Sequence, residues 1–235
     1  VAFKEVQITA ANALELSRFR EMDYFAVEAF DLPIELMMEN AGLQLANLVA
    51  HVCKGKENII QIGVGNGNNG GGGLVAARRL SAWGYHVCID VFTELTKELP
   101  LKQLERALKF GAKLETHDQP DVWVDAYLGF SQRLPLSDSL LKKIELANSA
   151  KCPRISLDIP TGFLGDIDQA HFEADHVLSL AAMKKILFAL GSKATLYIAD
   201  LGIPLAVYEK FGVQQPDFAD GNILRIKRDS NFEIK

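Results

Sequence analysis

Between Ile59 and Leu80 the chain reads IIQIGVGNGNNGGGGLVAARRL, an apolar run joined to a helix-like segment through a loop of glycine and asparagine. Such residues do chemistry through the backbone. Glycine lets N–H groups approach a ligand closely, and the helix that follows, expected to open near Gly71, offers unpaired donors and a partial positive charge. A phosphate or a nucleotide suits this loop. Gly65, Gly67 and Gly70 satisfy G-x-G-x-x-G, although so many glycines would satisfy it in several registers. No Lys-Ser or Lys-Thr pair follows, which removes the phosphate loop of NTPases. The plain alternative is a turn that holds no ligand.

Two carboxylates stand at the ends of other apolar runs, Asp125 in VDAYLGFSQ and Asp158 in ISLDIPTGF. Asp158 precedes Ile159-Pro160-Thr161-Gly162, a rigid turn that would fix its direction for acid/base work, or would simply be capped by it. Asp125, an Asn69 carbonyl oxygen and the Thr161 hydroxyl make a set of one carboxylate and neutral oxygens. Such a set suits a weakly charged cation better than calcium or magnesium. The five histidines make no i, i+4 pair and no motif with a cysteine, so zinc has little support. Ser131 in Gly129-Phe130-Ser131 is not a hydrolase elbow. Lys184 and Lys185 would steer an anion or, more simply, begin a solvated helix. Asp90 lies where a ribose-binding acid would follow the loop, the one feature that suits an NAD-dependent dehydrogenase.

These residues need a scaffold that joins distant segments. Strand-like runs at Asn58 to Val64, His86 to Phe92, Lys113 to Thr116, Val122 to Ala126 and Arg154 to Asp158 alternate with helix-like segments to Trp83, around Leu101 to Phe110 and around Leu140 to Ala147. Further strands are expected at Val177 to Leu180 and Thr195 to Ala199, then a helix from Pro204 to about Phe211. This alternation predicts a Rossmann-like, doubly wound, mostly parallel α/β sheet with helices on both faces. Asn68 and Asn69, Asp125 and Asp158 then fall at strand ends in one crevice. Two helices precede the loop. Thr9 is the expected cap of the first, with Phe19, Met22, Ala26 and Phe30 on one face. The second starts at about Pro33, with Met37, Ala41, Leu45, Leu48 and Val52.

The chain of 235 residues, 49% hydrophobic, is expected to form one domain, with its core at about 9–212 and a polar surface tail at 213–235. A net charge of −5 without a basic stripe speaks against nucleic acid. Cys53, Cys88 and Cys152 read as reduced thiols, which points to the cytoplasm or another reducing compartment. The first residues show neither a secretory pattern nor a membrane-spanning run, although an organellar transit segment removed beforehand would leave no trace.

ELMMENAG at Glu35 to Gly42, GNGNNGGGG at Gly65 to Gly73, DAYLGFS at Asp125 to Ser131, SLDIPTG at Ser156 to Gly162 and ADLGIP at Ala199 to Pro204 follow the order and spacing of one family. By these motifs the chain resembles the YjeF N-terminal domain family, the NAD(P)HX epimerases, also called apolipoprotein A-I binding proteins, in its stand-alone form. The resemblance implies an often dimeric Rossmann-like protein that interconverts the R and S forms of hydrated NADH and NADPH at C6 of the nicotinamide ring. A separate dehydratase, which accepts only the S form, then restores the cofactor. It implies Asp158 as the acid/base residue, and potassium held by Asn69, Asp125 and Thr161. Contacts to the dinucleotide, which is substrate and not cofactor, would come from Asn68, Asn69, Gly70, Gly71 and Gly72 and from Gly129, Phe130, Ser131, Gln132 and Arg133.

Three positions depart from the family pattern. Gly72 replaces an aspartate in NNGGDG, Asn66 stands where proline is common, and Met183-Lys184 replaces a Pro-Lys pair. The missing carboxylate leaves a second reading open, a catalytically impaired nucleotide-binding or protein-interaction module on the same fold.

Overall fold

The computed structural model describes residues 2–227. Eight strands form one sheet, β1 (Lys4–Gln7), β2 (Ile59–Val64), β3 (His86–Val91), β4 (Val122–Ala126), β5 (Arg154–Leu157), β6 (His176–Leu180), β7 (Thr195–Ala199) and β8 (Ile223–Lys227). Their order is β1-β8-β7-β6-β5-β4-β2-β3, parallel from β3 through β7, with β8 antiparallel to β7 and β1 parallel to β8. Six helices accompany them: α1 (Leu16–Phe30), α2 (Ile34–Val52), α3 (Asn68–Ala82), α4 (Glu98–Lys109), α5 (Asp138–Ser149) and α6 (Leu205–Phe211). The central strands are buried on both faces, as a sheet covered on both sides requires: Ile60, Ile62, Val122, Val124 and Leu157 lie on one face, and Gln61, Trp123, Asp125 and Ser156 on the other. The Rossmann-like expectation holds.

After β2 the chain moves outward to β3 and then returns to the other side of β2 as β4, so the winding direction changes between β2 and β4. A crevice opens at such a point above the carboxyl ends of the strands. Helix α2 lies against α3 closely enough that a Cβ on Gly42 would come within 2.4 Å of Val75 Cβ. That contact requires glycine and seats α2 over one side of the crevice.

Several expectations are corrected. Thr9 does not cap the first helix: it precedes a 3-10 turn, Ala10–Asn12, without a side-chain bond, and α1 begins at Leu16 after Glu15. Phe19, Met22 and Ala26 are buried as the spacing predicts, whereas Phe30 ends the helix exposed. Helix α3 opens at Asn68, not near Gly71, so four glycines fall inside its first two turns. The Lys113 to Thr116 strand shrinks to one bridge, Lys113 beside Cys88. The largest correction concerns the surface tail. Its residues Ile223, Leu224 and Ile226 are buried in β8, between β7 and β1. The sheet thus extends beyond 9–212 in both directions, because polar neighbours hide a five-residue strand and β1 is short. The rest of that tail after Lys227 lies outside the described residues. No helix among them is long and apolar enough to cross a membrane.

Candidate active site

The crevice holds a cleft of about 390 Å³ between the first turn of α3, the ends of β4 and β5, and α1 and α2. Gly67, Asn68, Asn69 and Gly72 line one wall; Leu128, Gly129, Phe130, Ser131, Gln132 and Asp158 line the other. Of the expected contact residues, Gly70, Gly71 and Arg133 do not line it. The reason is steric for the two glycines. A Cβ on Gly70 would sit 1.9 Å from the Gly65 carbonyl oxygen, and one on Gly71 would sit 2.5 Å from Met38 Cε. Gly65 and Gly73 are tight in the same way, against Tyr127 O at 2.3 Å and Ala126 Cβ at 2.6 Å. These four glycines let the helix approach its neighbours, and only Gly67 and Gly72 open onto the cleft.

Gly72 has no positive φ, and a Cβ there would meet Leu157 Cδ2 at 3.1 Å. The backbone therefore accepts a side chain after a small adjustment of one leucine methyl, and what this wall lacks is a carboxylate. Asn66 tightens its turn. Its Oδ1 accepts from Thr96 N at 2.9 Å and Lys97 N at 3.0 Å, and its Nδ2 donates to Thr96 Oγ1 at 2.7 Å. Lys97, so fixed at the start of α4, also lines the cleft.

Asp125 lies below the cleft, wholly buried. Its carboxylate accepts from Thr161 N at 2.8 Å, Thr161 Oγ1 at 2.6 Å, Ser156 Oγ at 3.0 Å and Tyr127 N at 3.2 Å. All four partners are uncharged. Burial pushes the carboxyl up from its ordinary 3.8 to about 6, against the lowering effect of these bonds. Asn69 Nδ2 lies 2.7 Å from Leu128 O and 3.3 Å from Leu157 O. Which end of an amide is nitrogen is assigned by hydrogen bonding. Turned over, Asn69 would add a third oxygen beside two carbonyls, next to Thr161, whose Oγ1 accepts from Leu128 N at 3.2 Å. One uncompensated carboxylate among neutral oxygens fits a monovalent cation.

The opposite wall is built from strained turns. Asp158 has φ 69°, and Ile159 N bonds Leu157 O at 3.0 Å across it, a tight γ-turn. The next strand repeats the device. Ala181 has φ 58°, with Ala182 N on Leu180 O at 2.7 Å. Positive φ in a residue other than glycine costs of order 1–3 kcal/mol and is retained where surrounding structure enforces it. Here Asp158 N donates to Leu178 O and Ala181 N to Ala199 O, so each turn hangs on the neighbouring strand.

The two turns aim side chains at one another. Lys184 Nζ lies 2.7 Å from Asp158 Oδ1 and 2.7 Å from Leu180 O, fully buried, with its ammonium 3.7 Å from the centre of the Phe19 ring. Phe130 N donates to Asp158 Oδ2 at 2.9 Å. Lys184 is therefore neither a steering charge nor part of a solvated helix start, and burial holds its pKa below the usual lysine range. Asp23, one turn after Phe19 on α1, lines the cleft, and its carboxyl is raised from 3.8 to about 6 by burial, then by the charge of Asp158. Sequence reasoning missed Asp23 and the pairing of Lys184. Only the helical spacing of Phe19 and Asp23 placed them together, and nothing marked that face as facing a site. Asp90 is engaged elsewhere, by Tyr127 Oη at 2.7 Å and Lys143 Nζ at 2.6 Å, and does not line the cleft.

Known proteins resemble this chain in sequence and in fold. Over 214 residues the chain is 34% identical to a protein of Rhodopirellula baltica named NAD(P)H-hydrate epimerase, covering 83% of this chain and 86% of that one. A protein of the same name from Dehalogenimonas lykanthroporepellens is 30% identical over 95% of this chain and 96% of its own length. A bifunctional NAD(P)H-hydrate repair enzyme of Thermofilum pendens is 34% identical over 66% of this chain, matched through 32% of its length. The crystal structure of yeast ynu0 superimposes with a TM-score of 0.82 at 23% identity, covering 91% of this chain and 99% of that one, which shows the common fold. Residues 34–186 match the family described as YjeF-related protein N-terminus, and the chain belongs to that family.

Proposed function

We propose that this protein is an epimerase of hydrated NADH and NADPH, an isomerase that interconverts their R and S forms at C6 of the nicotinamide ring. The observation that carries this reading is the Asp158 carboxylate, fixed at a strained strand end in a cleft whose other wall is the N-terminus of a helix. The names of its relatives agree with that assignment.

The chemistry follows from the ring. The C6 hydroxyl is next to N1, whose lone pair expels it once the oxygen is protonated, leaving a planar iminium open to water on either face. Asp158 delivers the proton and then takes one back from the incoming water. Lys184 supplies the balance: its ammonium first protonates the Asp158 carboxylate, which hands that proton to the hydroxyl, and the proton taken from the incoming water returns to Lys184 by the same route. Burial makes that lysine proton easier to release. Asp23, titrating just below neutrality, is a second proton-holding group on the same cleft. The first turn of α3 and Lys97 receive the dinucleotide's phosphates. Asn69, Asp125 and Thr161 would hold a potassium ion, which offsets the buried charge of Asp125 and stiffens the floor. A separate dehydratase that accepts the S form would consume the product.

The test mixes R and S NADHX with an S-specific dehydratase in potassium buffer and follows NADH absorbance with and without this protein. Faster consumption of the R fraction, lost in Asp158→Ala, is the expected result; no acceleration at high protein concentration overturns it. One observation favours a second reading. Gly72 leaves the cleft without a carboxylate that the backbone would accept, as in a module that binds the dinucleotide and has lost turnover. Binding of NADPHX without epimerisation would establish that alternative.

A further inference from the structure

At the outer edge of the sheet a second set of ligating side chains gathers. The histidine spacing gives zinc little support when helical pairs are sought, whereas His86 and Cys88 are two residues apart on a strand, β3, and so share a face. Glu115 is drawn alongside because Lys113 pairs with Cys88, through Ile89 N to Lys113 O at 2.8 Å and Lys113 N to Val87 O at 2.9 Å. The ligand atoms of His86, Cys88 and Glu115 all lie within 4.8 Å of one another. Cys88 Sγ is 3.2 Å from Glu115 Oε1, and His117 Nε2 is 3.3 Å from the same oxygen. The segment is anchored beyond these contacts, with His117 N on Gln61 Oε1 at 2.8 Å and Thr116 Oγ1 on Asp90 Oδ1 at 3.2 Å.

We propose that His86, Cys88 and Glu115 bind a zinc-class divalent transition metal, with His117 orienting Glu115. One thiolate, one imidazole and one carboxylate match the donors zinc takes and are too soft for calcium or magnesium. Three protein ligands leave a fourth tetrahedral position to water. The exposed Glu115 closes onto an ion above the buried Cys88 by a rotamer adjustment, while the backbone pairing is already in place. Lys113 Nζ, 3.9 Å from Glu115 Oε1, is the competing cation and is itself exposed. On binding, the sulfur–metal bond replaces the thiol S–H bond, the proton passes to solvent and no electron moves. The ion would fasten residues 113–117 to an edge strand that is otherwise covered on that side by one bridge.

The experiment titrates reduced, chelator-stripped protein with Zn²⁺ alone by calorimetry, and with Co²⁺ by absorbance. One equivalent taken up, a higher melting temperature and a thiolate-to-cobalt band in the near ultraviolet are expected. Cys88→Ser should abolish the band. Glu115→Gln, at an exposed position where folding is not at stake, should weaken uptake by more than the roughly 10-fold loss that His117→Ala, removing an outer-shell partner, should cause. Cys152→Ser should change nothing. Absence of uptake, cobalt bound without a thiolate band, or affinity undiminished in Glu115→Gln would overturn the proposal. None of these readouts uses the dinucleotide, so the result stands apart from the fate of the epimerase reading.

Discussion

The two walls of the cleft use opposite means to present their groups. The β2–α3 wall sets Asn68 and Asn69 among a run of glycines, four of which serve close approach to Gly65, Met38, Tyr127 and Ala126. The β5–β6 wall puts Asp158 and Ala181, which carry side chains, into backbone conformations that glycine would occupy without strain. The first wall relieves steric conflict to bring a helix end near a ligand. The second retains conflict in order to aim a buried carboxylate at a buried ammonium. Conspicuous glycines thus mark where backbones meet, while the groups able to move protons sit where glycine is absent.

The sharpest way to break this contrast is Asp158→Asn. It keeps the shape of the strained wall and should lower turnover roughly 100- to 10,000-fold, with dinucleotide binding retained in a direct titration. Lys184→Met leaves Asp158 as a buried charge without a counter-charge and should cost about 3–5 kcal/mol in urea unfolding. On the other wall, Gly70→Ala should lose about 1–3 kcal/mol or more through overpacking, whereas Gly67→Ala, with open space around it at the N-cap of α3, should lose only about 0.5 kcal/mol. Equal losses at both glycines would erase the distinction between packed and ligand-facing positions.

Smaller effects sharpen it further. Gly72→Asp restores a carboxylate to the glycine wall and should tighten dinucleotide binding on the order of tenfold, the worth of a charge-assisted hydrogen bond. Its stability should move little, since only Leu157 must yield. Last comes pH. Asp23 and Asp125 hold their protons more tightly folded than unfolded, each raised from 3.8 to about 6. Their contribution to stability is therefore complete below about 3.8 and is lost as pH rises through about 6. Thermal unfolding between pH 4 and 7 should show that decline, shallower in Asp23→Asn, and potassium should reduce it more than an equal concentration of a bulky organic cation.

The fold was legible because hydrophobic runs alternate with helical periodicity, and that pattern survives in the sequence wherever a strand is buried on both faces. It failed at β8, where the apolar run Ile223-Leu224 is cut short by Arg225, Ile226 is followed by Lys227, and an irregular stretch precedes them. The strand ends carrying Asn69, Asp125 and Asp158 could be placed in one crevice from topology alone. Lys184 could not, because its role depends on a γ-turn at Ala181, and no residue preference announces positive φ in alanine. Asp23 could not either: on a helix already accounted for as core, one polar residue carries no signal until its neighbours across the cleft are known.

The reversed strand at the far side of the sheet has a topological consequence. Strands β2 through β7 all point toward the rim that holds the cleft, and β8 runs the other way, so Lys227 lies at the opposite rim. A reporter dye carried on the side chain at position 227 would therefore sense the far rim of the sheet and stay clear of a ligand in the cleft.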